Sequence, residues 1–72
     1  MLDVSKSPCP LTPREIEAVQ WLSAGKTDVE SAEIMGITKH GVRRLLQNAR
    51  LRSNTVNAPS LVAKAIRSGW IA

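Results

Sequence analysis

The stretch Ile37–Ser53, ITKHGVRRLLQNARLRS, decides how the rest of the chain is read. It carries Lys39, Arg43, Arg44, Arg50 and Arg52 and no acidic residue. Val42, Leu45, Leu46 and Ala49 repeat at the i, i+3, i+4, i+7 spacing of one helix face. The spacing predicts a helix from about Lys39 to Ser53 with one oily side and one basic side. Such a helix has the chemistry of an element that enters the DNA major groove. Gly41 falls in its first turns, where the loss of roughly 1 kcal/mol relative to Ala is tolerable and a backbone can approach closely. Asn54 is suited to the left-handed stop at its end.

Working outward toward the N-terminus, Gly36 and Ile37 read as a tight turn and Thr38 as the cap of the basic helix. Before them, residues 27–35 open with Thr27 and Glu30, a T-x-x-E capping box. Val29, Ala32 and Met35, flanked by Ile34, are expected to form the apolar face of a helix about nine residues long. A short helix, a Gly-containing turn and a basic second helix together describe a helix-turn-helix. Upstream again, residues 11–25 begin LTPRE. Thr12 is an N-cap, Pro13 sits at the first helical position, and Glu15 completes a box, with Leu11 and Ile16 placed as a hydrophobic staple. Ile16, Val19, Leu22 and Ala18 face the core, and Gly25 reads as the stop.

Working outward toward the C-terminus, residues 54–57 make a turn. Pro59 fits the first turn of a last helix capped by Asn57 or Ala58, with Leu61, Val62, Ala65 and Ile66 as its stripe. Gly69 ends it, and Trp70 and Ile71 are expected to fold back on the core. Residues 1–10, MLDVSKSPCP, contain two prolines and two serines without helical period. They read as a flexible arm or linker, leaving 11–72 as the folded unit. The fold class is therefore all-α, four helices, with no strand signal.

Composition narrows the function. Seventy-two residues make one small domain, with 43% apolar residues and no Phe or Tyr. Two tryptophans offer little for stacking on single-stranded bases, which disfavours an RNA-binding module. All six acids lie in residues 1–33 beside three bases, whereas residues 34–72 hold seven bases and no acid. That polarity suits docking on a polyanion. One cysteine, Cys9, allows no internal disulfide, and no His or second Cys stands near it for a metal. No nucleophile–base set, phosphate loop or metal cluster is recognisable, so neither an enzyme nor a cofactor is expected. Without a signal segment or long apolar run, the expected location is cytoplasmic.

The residues LTPREIEAVQWLSAGKTDVESAEIMGIT, then Val42, Asn48–Ala49, Val56–Asn57 and VAKAIRSG at Val62–Gly69, resemble the LuxR-type (NarL/GerE-like) DNA-binding domain of quorum-sensing regulators. The resemblance implies a four-helix domain that binds double-stranded DNA as a dimer, the third helix in the major groove and the fourth supplying dimer contacts. Carried over by position, base reading falls on Arg43, Arg44 and Gln47. Arginine suits guanine O6/N7 and glutamine suits adenine N6/N7. Phosphate contacts fall on Lys26, Thr27, Lys39, His40, Arg50 and Arg52, and dimer contacts on Ala63, Arg67 and Trp70. The chain departs from the family pattern at Gly41, Leu45, Ser31, Ser53 and Ala58–Pro59. Those departures motivate an alternative expectation: an interaction module or antiactivator of the same fold that pairs with a related regulator and binds DNA weakly or not at all.

Overall fold

The computed structural model describes residues 9–72. The expected arm at residues 1–10 lies outside the described residues except for Cys9 and Pro10, which are exposed. Four helices follow in order: α1 (Pro13–Ser23), α2 (Asp28–Met35), α3 (Lys39–Ser53) and α4 (Ala58–Arg67). No strand occurs among the described residues.

Each helix starts where local chemistry dictates. Thr12 accepts from the Glu15 N–H at 3.2 Å, and Glu15 accepts from the Thr12 N–H at 2.9 Å. Thr27 and Glu30 repeat the exchange at 3.1 and 2.9 Å. A third box caps α4: Asn57 is the N-cap and Ser60 the reciprocal partner, at 2.8 and 3.2 Å. Ends are equally local. Gly36 closes α2 in the left-handed region at φ 69°, and Asn54 closes α3 at φ 61°.

α3 runs through the middle and packs on α1, α2 and α4; α2 and α4 do not touch each other. Two apolar clusters fill the space on either side of it. Leu11, Val19, Ala49, Leu61, Ala65 and Ile71 form one, covered by Ile16 and Trp70. Ala18, Ala32, Met35 and Val42 form the other, covered by Trp21, Ile37 and Leu45. Leu46 packs against both and joins them. Trp70 and Ile71 thus fold back on the core as the sequence suggests.

Two expected core residues lie outside. Val29 is 51% exposed and Ile66 is 51% exposed. Both follow from helix geometry at about 100° per residue. The series Val29, Ala32, Met35 steps by three each time and walks off the face, so Ser31, Ala32 and Met35 become the buried set of α2. In α4 only Leu61 and Ala65 are buried, and Ile66 falls on the flank.

Candidate nucleic-acid interface

The turn Gly36–Ile37–Thr38 sets α3 against α2. The Gly36 and Ile37 N–H groups both bond to the Ala32 carbonyl, closing the end of α2. Arg14, reaching from α1, donates a further bond to the Met35 carbonyl at 3.2 Å. Thr38 then accepts from the Gly41 N–H at 2.9 Å and opens α3. Val42 and Ala49 are fully buried, which presses one side of α3 into the core and turns the other to solvent.

The exposed side carries the three expected base-reading residues, Arg43, Arg44 and Gln47. They divide between two hollows. Arg43 and Gln47 line a cleft of about 350 Å³ together with Asp28 and Arg50, over a floor of Leu22, Leu46, Ala58 and Leu61. Arg44 lines the hollow on the other flank, beside Asn48, Gly41 and Arg14. The ridge between the two hollows is formed by His40, Arg44 and Gln47, by the same angular count. Leu51, 72% exposed, shares that ridge at its C-terminal end.

The basic groups are not equivalent. Arg43 Nε bonds to Asp28 Oδ2 at 3.0 Å, a pair open to solvent. Arg52 Nε bonds to Glu15 Oε2 at 3.1 Å, and this carboxylate is buried at 3% side-chain exposure. Arg52 is therefore a tie between α3 and α1 as well as a surface cation. Among the described residues Lys26, Lys39, His40, Arg44 and Arg50 make no ion pair. Lys26 and Thr27 stand at the start of α2, and Lys39 and His40 at the start of α3, all exposed.

The two helix starts differ in charge. The first turn of α2 contains Asp28 and Glu30, whereas that of α3 contains no acid. The Thr27 N–H, then the Thr27 hydroxyl and nearby Lys26, hold the Glu30 carboxyl below the usual value, against a small desolvation. At α3 the position that would carry the reciprocal acid is Gly41. Its positive end thus stays uncompensated beside Lys39 and His40, the better disposed of the two toward an anion.

No family model matches the chain. It is 46% identical over 61 residues to the HTH-type quorum sensing-dependent transcriptional regulator VjbR of Brucella abortus (strain 2308), a match covering 85% of this chain and 24% of that protein. It is 41% identical to the HTH-type quorum sensing-dependent transcriptional regulator RpaR of Rhodopseudomonas palustris, over 85% of this chain and 25% of the relative. The transcriptional activator protein LuxR of Aliivibrio fischeri is 36% identical over 67 residues, 93% of this chain and 27% of the relative. The chain is a LuxR-type helix-turn-helix domain. It spans about a quarter of the length of these curated relatives.

Within the LuxR-type frame the departures acquire structural roles. Leu45 is half-buried and packs against the Ala32–Met35–Val42 cluster. Ser53 is buried at 2%, and its hydroxyl donates to the Ala49 carbonyl at 2.7 Å. Lys64 Nζ reaches back from α4 to the Ser53 carbonyl at 2.6 Å, fastening the two helices. Ala58 begins α4 and floors the cleft. Of the expected dimer contacts, Ala63 and Arg67 are exposed one turn apart on α4, and Trp70 is partly buried against the core. The Glu15–Arg52 tie and the Ser60 cap carried no helical period or family signal. Asp28 was legible only as a first-turn acid, because its partner lies fifteen residues away.

Proposed function

We propose that this domain binds double-stranded DNA within a transcriptional regulator, laying the exposed face of α3 in the major groove. The observation that carries the reading is that face: Arg43, Arg44 and Gln47 stand together on a helix without acids, held by a buried opposite side. Arg43 and Arg44 supply paired N–H groups for guanine, and Gln47 matches adenine. Lys39, His40 and Arg50, with Lys26 and Thr27 across the turn, supply phosphate contacts that fix the register. Arg52 contributes to the surrounding positive field while its Nε stays on Glu15. Membership of the LuxR-type domains supports the same reading, since the relatives VjbR and RpaR are named as transcriptional regulators.

The test is duplex binding against ionic strength. The expected result is tight binding at low salt that falls steeply as salt rises. Arg44→Ala should relax base preference, and Lys39→Ala should weaken binding evenly across sequences. Absence of any salt-dependent binding would overturn the proposal.

A further inference from the structure

We propose that Asp28 is a positioning residue for base recognition: its carboxylate presets Arg43 so that the guanidinium presents its two terminal amino groups to one guanine. The inference rests on the DNA-binding reading above. Asp28 is the first residue of α2, and Arg43 lies in the second turn of α3. The single contact between them runs from Nε to Oδ2 at 3.0 Å. Both terminal amino groups of Arg43 make no hydrogen bond among the described residues. The carboxylate therefore holds the guanidinium by its inner edge and leaves the outer fork empty.

That fork fits one base. Guanine alone shows two acceptors side by side in the major groove; adenine shows an acceptor beside a donor. An untethered arginine can turn to a phosphate or sample many rotamers, and ordering it on binding costs free energy. The tether removes part of that cost and keeps the side chain from answering any nearby negative charge. The same carboxylate has an opposite effect elsewhere. It sits beside Lys26 and Thr27, where phosphates are expected, and repels them. Asp28 thus opposes nonspecific affinity while favouring discrimination, and these two effects separate it from a residue that merely supports the fold.

The experiment selects duplexes from a randomised pool with the wild-type domain, Asp28→Asn and Arg43→Ala. It then measures binding to the selected duplex, to the duplex with one guanine replaced, and to an unrelated duplex, with thermal unfolding of each variant. Wild type should show a guanine position whose preference Arg43→Ala abolishes. Asp28→Asn should lower the preference at that position about tenfold, bind the unrelated duplex as tightly as wild type or tighter, and still unfold cooperatively within about 5 °C of wild type. Full retention of the guanine preference in Asp28→Asn, with its loss in Arg43→Ala, overturns this proposal and leaves DNA binding standing. An equal loss on all duplexes also overturns it, since that marks a fold defect. Retention of every preference in Arg43→Ala overturns it by removing the group to be positioned. If the wild type binds no duplex at low salt, the DNA-binding reading fails and this inference with it.

Discussion

Glu15 performs two tasks with one carboxylate. Oε1 accepts from the Thr12 N–H and caps α1, while Oε2 accepts from Arg52 at the far end of α3. The residue is 2% exposed, so these partners take the place of water around its carboxylate. Removing Arg52 strands it against apolar neighbours, which in a fully buried pair costs several kcal/mol. Here the guanidinium is 52% exposed, and water can enter where it stood. Arg52→Ala should therefore destabilise the domain by about 1–2 kcal/mol, read as a shift in urea midpoint. Arg43→Ala breaks a pair whose members are both open to solvent, and its midpoint should move by less than about 1 kcal/mol. The capping half of Glu15 was legible in the sequence because its partner is three residues away. The tying half was not, because 37 residues separate it from Arg52 and no periodicity links them.

The four helices show the same division between local and distant information. Three N-caps lie where the sequence places them, and the fourth, Asn57, is one of the two residues expected there, because each cap depends on a side chain reaching its own first turn. The faces of the two shorter helices were read less well. A few apolar residues on α2 and α4 fit more than one stripe, and Val29 and Ile66 took the wrong one. Capping chemistry also makes the helices respond differently to acid. The Glu30 carboxyl is held below its ordinary value of 4.5 by Thr27. Its contribution is complete above that value and is lost as pH falls through the lower folded value. Thermal midpoints should therefore drop as pH falls below about 4.5, with a smaller drop for Glu30→Gln, which cannot titrate. α3 lacks this device, since Gly41 occupies the place of the acid. A Cβ there would stand 3.3 Å from the Thr38 hydroxyl. α1 and α2 accommodate a full glutamate at the equivalent place beside a threonine cap. Gly41→Glu should thus gain about 1 kcal/mol of stability while weakening DNA binding, because it puts an acid at the helix start proposed to meet phosphates. Gly41→Ala should gain stability without that loss, so denaturation and duplex titration of the two variants separate capping from charge.

At the scale of the molecule, one face of α4 lacks a covering element among the described residues. Ala63 and Arg67 stand exposed on it, Ile66 is half exposed on its flank, and Val62, Pro59 and Ala58 meet Leu22 of α1 in a shallow apolar hollow. The LuxR-type resemblance implies pairing through this helix. A ten-residue helix pairing with its copy buries less than the roughly 1,200 Å² typical of stable complexes. The domain alone should therefore be monomeric in dilute solution and pair only where DNA holds two copies side by side. Two half-sites about 34 Å apart would supply that proximity, with the second binding event made effectively intramolecular. Ile66→Ser should reduce affinity for the paired site by about tenfold, which is about 1.4 kcal/mol of coupling, and leave affinity for an isolated half-site unchanged. Sedimentation equilibrium of the free domain, with titrations of paired and single sites, checks both statements. An equal reduction on the two DNAs would place Ile66 outside the contact and remove α4 as the pairing surface.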